Sequence, residues 1–256
     1  MSTPIQFSHA NGFPSRTYNY LFELLGDVHV TYVEKNGYSK LPLKADVNYF
    51  ADELIASIEK NHTKPVIGIG HSTGGATVIV AAAKRPDLFK KVIAIEPIIF
   101  SRRKRYVMWL VNLFNWGDPS GLITKTKNRR ANFPSIEFVK ESFANNSFFK
   151  SFHPTILADY IKHGFVPNPN GEGVTLAYSK ELEAAVFQKP LFKIPPGIDK
   201  INATIIYGNT SDTFVNWDVN WWKKAYPHVK LIPFEGGHLF PLQAPEKTAA
   251  LLKSLI

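Results

Sequence analysis

Residues 66–75 read Val66-Ile67-Gly68-Ile69-Gly70-His71-Ser72-Thr73-Gly74-Gly75. The opening run is apolar and rich in β-branched residues, which is typical of a strand buried in a parallel sheet. Residues 73–84 suit a helix of small side chains that can pack closely on that sheet, and Arg85-Pro86 predicts its end. The pattern Gly-x-Ser-x-Gly between them predicts a sharp strand-to-helix turn, because the flanking glycines leave the serine free to project.

The same alternation of strand and helix continues on both sides of this turn. We predict strands at residues 5–7, 28–33, 65–69, 92–95, 203–207 and 230–234. Helices are predicted from residue 15 and over 46–60, 73–84, 217–225 and 244–255. Short apolar strands separated by helices predict βαβ units, and so an α/β fold with a mostly parallel sheet and helices on both faces.

A middle segment interrupts this alternation. At 256 residues, one large domain or a core with an insert is favoured over several independent domains. The sequence Pro195-Pro196-Gly197 is the clearest linker signal and marks the return to the core pattern. We therefore predict a core formed by residues 1–99 and 197–256, with residues 100–196 as an insert.

The composition excludes several classes of protein. The chain has no cysteine, which excludes a disulfide scaffold, a thiolate zinc site, an iron–sulfur cluster and a cysteine nucleophile. The hydrophobic content of 45% is too high for a disordered chain. The first residues show no secretory signal pattern, and the apolar runs are far shorter than the ~20 residues that span a bilayer. We expect a soluble, cytoplasmic protein.

Positive charge is concentrated in the middle segment. Residues 100–196 carry 14 Lys and Arg against 7 Asp and Glu, which accounts for +7 of the net charge of +9. No nucleic-acid-binding module accompanies these residues, so we expect no nucleic-acid partner. The preferred interpretation is a solvated face. The alternative is a membrane-surface lipase in which Arg102–Arg105 and Trp109–Trp116 face anionic lipid.

A serine nucleophile requires a base, and His238 is predicted for this role. It follows the last predicted strand in the sequence Gly236-Gly237-His238. Reacting groups gather beyond the carboxyl ends of the strands in open α/β sheets, and the glycines leave room for the loop there. His71 adjoins Ser72 and is expected to point elsewhere. His9 also follows a strand, but the turn beside it, which contains Gly12, is better suited to presenting backbone N–H groups. The remaining histidines show no distinct role.

The base in turn requires an acid that orients its ring. Asp212 follows the penultimate strand, 26 residues before His238, and is the predicted acid. Glu96, at the end of an earlier strand, is its competitor, and Asp218 is a weaker candidate that suits a helix start. The order serine, acid, histidine along the chain is that of one class of hydrolase and not of the chymotrypsin or subtilisin classes.

The oxyanion of an acyl-transfer reaction requires preorganised N–H donors. The backbone N–H of Thr73 is one predicted donor, because it directly follows the nucleophile. The second is predicted in the loop of residues 9–14, with Asn11 preferred and Gly12 or Phe13 as alternatives. This chemistry needs no cofactor, and no cluster of ligand-type residues predicts a metal site.

Together these residues resemble the α/β-hydrolase superfamily. The turn at Gly70–Gly74, the loop of residues 9–14, Asp212 and Gly237-His238 match its motifs in type and order. The resemblance covers residues 1–99 and 197–256. It implies that the insert is a mostly helical cap over the active site. The chain departs from the family pattern at its start, where we expect the antiparallel strands that usually open this fold to be reduced or absent. The usual His-Gly of the oxyanion loop is His9-Ala10 in this chain.

The cap sequence offers many apolar side chains, which could line a substrate pocket or pack the cap itself. These residues are Trp109, Leu110, Leu113, Phe114, Trp116, Phe143, Phe148, Phe149 and Phe152.

The serine narrows the expected chemistry. Superfamily members that open epoxides or cleave carbon–halogen bonds use a carboxylate at this turn, and Ser72 argues against both. We expect hydrolysis of a small-molecule carboxylic ester with an apolar part, through an acyl-enzyme on Ser72. Thioesters, lactones, carbon–carbon bonds and perhydrolysis use the same groups and remain alternatives. The alternative from another class is a hydrolase-like binding protein without turnover.

Overall fold

The computed structural model describes residues 3–114, 116–118 and 120–256. Residues 1, 2, 115 and 119, which fall within the predicted domain boundaries, lie outside the described part.

A six-stranded parallel sheet forms the centre of the molecule. Its strands are β1 (Ile5–Ser8), β2 (Val30–Tyr32), β3 (Val66–His71), β4 (Phe89–Ile95), β8 (Ala203–Gly208) and β9 (Lys230–Phe234), in the order β2-β1-β3-β4-β8-β9. All the pairings described for it are parallel. This confirms the α/β fold predicted from the sequence.

Helices cover both faces of the sheet, as expected for parallel strands joined by crossovers. Those of the core are α1 (Asn19–Leu25), α2 (Val47–Asn61), α3 (Thr73–Lys84), α10 (Asn216–Ala225), α11 (Phe240–Gln243) and α12 (Pro245–Lys253). Short 3₁₀ turns occupy Ser15–Tyr18, Pro86–Leu88 and Ile198–Lys200. The predicted helix over 73–84 has the same bounds as α3, while β2 is shorter than the predicted strand over 28–33.

Successive residues of the strands point to opposite faces, which divides the core into two clusters. Val66 and Val92 pack under α2, α3 and α10, whereas their neighbours Ile67 and Ile93 pack under α1 and α12. The small residues of α3 are buried along nearly the whole helix, so α3 lies close to the sheet. This close packing holds the strand ends that carry the candidate site.

Residues 100–196, the predicted insert and called the insert below, follow β4 and precede β8. Its helices are α4 (Arg102–Leu113), α5 (Leu122–Asn128), α6 (Ile136–Ala144), α7 (Ser147–Lys150), α8 (Pro154–His163) and α9 (Lys180–Gln188). A small antiparallel sheet of β5 (Asn132–Phe133), β6 (Phe165–Pro167) and β7 (Val174–Leu176) accompanies them, and sequence reasoning did not predict it.

The apolar residues of the insert divide into two groups. Phe143, Phe149 and Phe152 pack in aromatic clusters with Tyr160, as packing of the insert requires. Trp109, Leu113, Phe114, Trp116 and Phe148 are exposed, so these side chains are not buried inside the insert. Phe148 still contacts the rings of Phe149 and Phe152, and Trp109 lines a groove at the surface. Among the described residues, no helix combines the length and apolarity needed to cross a membrane.

Candidate active site

The site lies at the carboxyl edge of the sheet, where the ends of neighbouring strands meet. Ser8 pairs with Gly70, His71 pairs with Ile95, and Ile95 pairs with Ile206 in register. The residues that follow these strands are therefore brought side by side, although they are far apart in sequence. This edge is where a doubly wound sheet places its reacting groups.

Ser72 occupies a strained turn between β3 and α3. Its φ is +56°, in the left-handed region that residues with a Cβ rarely adopt. A Cβ on Gly70 would overlap the backbone of Gly74, and a Cβ on Gly74 would overlap the carbonyl oxygen of Ser8. The two glycines are therefore required by close packing of the turn against β1, and this turn presents the hydroxyl of Ser72 at the sheet edge.

His238 links Ser72 to a carboxylate. The Nε2 atom of His238 lies 2.9 Å from Ser72 Oγ, and its Nδ1 lies 2.9 Å from Glu96 Oε2. Because a carboxylate accepts hydrogen bonds, Nδ1 carries the proton and Nε2 is free to accept the proton of the serine. The arrangement has the hydrogen-bond geometry of a nucleophile, a general base and an orienting acid.

Glu96, and not Asp212, contacts His238, so the structure corrects the prediction of Asp212. Glu96 directly follows β4 and is fully buried, whereas Asp212 lies four residues beyond β8, is exposed and accepts only a hydrogen bond from the Thr213 hydroxyl (3.2 Å) among the described contacts. Asp218 is buried elsewhere and accepts from the backbone N–H of Ser101 at 2.6 Å.

The end of β8 and the segment after it, where the acid Asp212 was predicted, instead donate hydrogen bonds to Glu96. The backbone N–H of Gly208 donates to Glu96 Oε1 at 2.5 Å, and the hydroxyl of Ser211 donates to Oε2 at 2.6 Å. Glu96 itself has φ +50°. A buried carboxylate needs such partners, since an unpaired charge in the interior is costly. The sequence signal for this role was an acidic residue at the end of a strand between apolar neighbours, Ile95 and Pro97.

The loop of residues 9–13 faces the amino terminus of α3. Its turn is closed by a hydrogen bond from Phe13 N–H to Ala10 O (3.1 Å), and Gly12 has φ +82°. The N–H of Ala10 points to the hydroxyl of Tyr18 at 3.4 Å. Within residues 10–13, Ala10 and Phe13 have these partners, and the backbone N–H groups of Asn11 and Gly12 have no described partner.

The insert contacts this loop directly. The side chain of Asn11 donates to the carbonyl oxygen of Glu183 at 2.9 Å, and the Glu183 carboxylate lies against Gly12. Burial raises the pKa of Glu183, while the ion pair with Arg129 (2.5 Å) opposes that shift. The Phe13 ring packs at a tilt against that of Tyr160, with ring centroids 5.2 Å apart. The loop is therefore held between the sheet edge and the insert.

Sequence reasoning missed the role of His71 in holding the site together. Its Nε2 donates to the carbonyl oxygen of His238 at 2.9 Å, so its Nδ1 accepts from the Tyr18 hydroxyl at 2.8 Å. Burial, with a smaller effect of His238, lowers the pKa of His71 to about 3. His71 is thus neutral and connects the loop after β9 to the segment after β1. No sequence signal marks this contact, because His71 precedes the serine in the elbow motif and its partners are distant.

His9 is also a buried neutral histidine. It donates from Nδ1 to Ala10 O at 2.7 Å and accepts at Nε2 from the backbone N–H of Asn36 at 2.8 Å. Burial lowers its pKa from 6.5 to about 4. Its role in the structure is to fix the loop of residues 9–13. Among the described residues, no three His, Asp or Glu side chains come together as a metal site requires.

Comparison with known proteins identifies the family to which this chain belongs and solved structures that share its fold. The profile of the alpha/beta hydrolase family matches residues 7–251. A comparison with curated protein sequences gives no match.

Solved structures of hydrolases resemble this chain over nearly its whole length. They include E-2-(acetamidomethylene)succinate hydrolase (18% identity, TM-score 0.78, 98% of this chain and 90% of that one). A peroxisomal alpha-beta-hydrolase from Saccharomyces cerevisiae is also similar (17% identity, TM-score 0.77, 99% of this chain and 77% of that one). So is an esterase from M. tuberculosis (17% identity, TM-score 0.71, 100% of this chain and 86% of that one). At these identities the likeness shows the fold alone.

Proposed function

Because this chain belongs to the alpha/beta hydrolase family, we propose that it is a serine hydrolase whose catalytic groups are Ser72, His238 and Glu96. The observation that carries the proposal is the continuous chain of contacts from Ser72 Oγ through the His238 ring to Glu96 Oε2, each 2.9 Å long. These are the distances at which a base can take the proton of a nucleophile.

In the proposed reaction, Ser72 Oγ attacks the carbonyl carbon of the substrate as its proton passes to His238 Nε2. Glu96 stabilises the imidazolium ion that forms, without taking the proton itself. Collapse of the tetrahedral intermediate transfers the proton to the leaving group and leaves an acyl-enzyme on Ser72. Water, deprotonated by the same histidine, then releases the acid and restores the serine.

We propose that the backbone N–H groups of Thr73 and Asn11 stabilise the oxyanion. Thr73 is the first residue of α3, where the unpaired N–H groups and the helix dipole favour negative charge. Asn11 is held by its side-chain contact with Glu183, which supports a fixed position for its backbone donor. Loss of one such donor typically costs ~2.7–4 kcal/mol of transition-state stabilisation.

A carboxylic ester with an apolar acyl or alcohol part is the proposed substrate class, with residues 100–196 acting as a cap. The aromatic residues Phe13, Phe152 and Tyr160 lie together where the insert meets the oxyanion loop, which favours an apolar substrate. One similar solved structure is described as a thioesterase domain and others as esterases, and all would use the same groups. Thioesters, lactones and carbon–carbon bonds are therefore the alternatives that a substrate panel must compare.

Hydrolysis of p-nitrophenyl esters of increasing acyl length tests the proposal. We expect turnover by the wild-type chain, and a loss of at least about 10⁴-fold in kcat for Ser72→Ala and for His238→Ala. The matched control is Ser147→Ala, which removes an exposed hydroxyl of the insert and should leave the rate unchanged. Wild-type rates in Ser72→Ala would contradict the serine mechanism, and a folded wild type that cleaves no ester, thioester or lactone would favour a binding protein.

A further inference from the structure

One surface of the insert exposes an unusual density of apolar side chains. The α4 patch consists of Tyr106, Val107, Trp109, Leu113, Phe114, Trp116 and, from α10, Trp217. Each of these side chains is between 42 and 65% exposed. Single exposed apolar residues are ordinary on a protein surface, but a contiguous group of this kind marks a contact with another body.

The helix α4 presents part of this patch as one stripe. Tyr106, Trp109 and Leu113 follow one another at spacings of three and four residues, which places them on one side of the helix. The rings of Tyr106 and Trp109 stack at 5.8 Å, and those of Phe114 and Trp116 at 5.3 Å. At about 1.5 Å per residue, the helix is about 18 Å long. The result is an extended apolar ridge, and Tyr106 and Trp109 also form with Trp217 the wall of an open groove beside it.

Positive charge borders the ridge at one end. Arg102 and Arg103 are exposed in the first turn of α4, and the Arg103 guanidinium lies 4.7 Å from the centroid of the Trp217 ring. Among the described residues, the ion pair of this turn joins Lys104 to Asp218 at 3.5 Å and leaves both arginines to solvent. Cations at a helix amino terminus oppose the helix dipole, so helix stability does not account for them.

The other two basic residues of the turn have structural partners. Lys104 donates to the carbonyl oxygen of Thr213 at 2.7 Å, and Arg105 donates to that of Phe192 at 2.7 Å. Lys104 thus ties α4 to the core, and Arg105 ties it to the end of the insert, in the orientation that turns the ridge outward. Arg102 and Arg103 are thus the charges of this turn that remain for an external partner.

We propose that the α4 patch docks on the surface of a bilayer that contains anionic lipid. A helix with apolar and aromatic residues on one side and arginines beside them is suited to lie in the plane of the membrane interface. Trp and Tyr rings favour the headgroup level, and guanidinium groups bind phosphate. A second copy of the chain is a poorer occupant, because a symmetric contact would bury two copies of the same positively charged patch, and α4 has no acidic residue to pair with Arg102 and Arg103.

Docking in this form does not depend on the proposed hydrolysis, since Ser72 lies outside the α4 patch. Co-flotation of the full chain with vesicles tests it, using phosphatidylcholine alone and phosphatidylcholine with 30% phosphatidylserine, at low and high salt. We expect binding to the anionic vesicles, weakened by salt and accompanied by a blue shift of tryptophan emission. Ser72→Ala should bind as the wild type does.

Two variants of exposed residues separate the apolar and charged contributions. Leu113→Asp and the double variant Arg102→Glu/Arg103→Glu should each reduce the partition coefficient at least about tenfold. The matched controls are Ile256→Asp, another exposed apolar residue, and Lys60→Glu/Lys64→Glu, which makes the same change in net charge away from the patch. The controls should change partitioning by less than about twofold to threefold.

Three results would overturn the proposal. The first is the absence of co-flotation with anionic vesicles at low salt. The second is an equal loss of binding in the control variants, which would mean attraction by net charge alone. The third is self-association of the wild type that Leu113→Asp abolishes without any change in vesicle binding, which would assign the ridge to a second copy of the chain.

Discussion

At the scale of single residues, the position of Glu96 distinguishes this site from the one predicted with Asp212. Gly208 N–H holds Oε1, so in Glu96→Gln the amide oxygen would stay there and the NH₂ group would face His238. The ring would then adopt the tautomer that cannot accept the proton of Ser72. We predict that Glu96→Gln lowers kcat by about 10⁴-fold.

Asp212→Asn is the matched control for this substitution. Asp212 is exposed, and its described partner is the Thr213 hydroxyl. Removing the charge of its carboxylate should therefore change kcat by less than about twofold. Steady-state rates of the two variants on one ester decide between the two carboxylates. A large loss of kcat in Asp212→Asn, together with a wild-type kcat in Glu96→Gln, would favour Asp212 as the acid, as the sequence predicted.

The residues of the site differ in how well sequence reasoning could find them. Ser72 and His238 carry local signals, since glycines lie on both sides of Ser72 and directly before His238, each next to a strand end. The choice between Asp212 and Glu96 depends on which side chain reaches the ring, and that distance is set by the register of β4 and β8. The prediction preferred Asp212 because it follows the penultimate strand, 26 residues before His238, whereas Glu96 directly follows a strand and is better placed for burial.

At the scale of elements, the turn between β3 and α3 makes a stability prediction. The backbone of Ser8 leaves no space for a Cβ on Gly74, so Gly74→Ala must displace β1 or α3. We expect a loss of at least about 2 kcal/mol in the free energy of unfolding, measured by urea denaturation. Ester hydrolysis should fall as well, because Ser72 and Thr73 belong to the same turn.

Gly171→Ala is the control for this effect. A Cβ there would meet Asn168 Nδ2 at 3.7 Å, an ordinary contact, so the free energy of unfolding should change by less than about 0.5 kcal/mol. Equal stability of the two variants would mean that the close approach of α3 to β1 does not constrain the turn.

The elements of the core were easier to predict than those of the insert. Strands buried on both faces read as continuous apolar runs, and α3 and β9 have the predicted bounds. The insert carries apolar residues that favour burial by type, yet those of α4 lie at the surface. Periodicity shows which residues share a side of a helix, but not whether another element covers that side.

At the scale of the whole molecule, two buried neutral histidines couple stability to pH. The pKa of His9 falls to about 4 and that of His71 to about 3, against 6.5 for an ordinary histidine. Between these values and 6.5 the unfolded chain binds more protons than the folded one. The free energy of unfolding therefore falls as the pH is lowered from 6.5, by up to about 1.4 kcal/mol per pH unit for each histidine.

Urea unfolding at pH 4.5, 5.5 and 7.5 tests this coupling. In His9→Gln the slope between pH 4.5 and 5.5 should be smaller by about 1.4 kcal/mol per pH unit than in the wild type. His228→Gln, which removes an exposed imidazole, serves as the control and should keep the wild-type slope. An unchanged slope in His9→Gln would show that His9 is not held neutral in the folded protein.

The most direct test of the central claim is labelling of the wild-type chain with a fluorophosphonate, with the modified peptide mapped by mass spectrometry. Such a probe reacts with a serine whose hydroxyl is activated by a base. We predict a single label on Ser72 that is absent in His238→Ala. Labelling of a different serine, or undiminished labelling of Ser72 in His238→Ala, would contradict it.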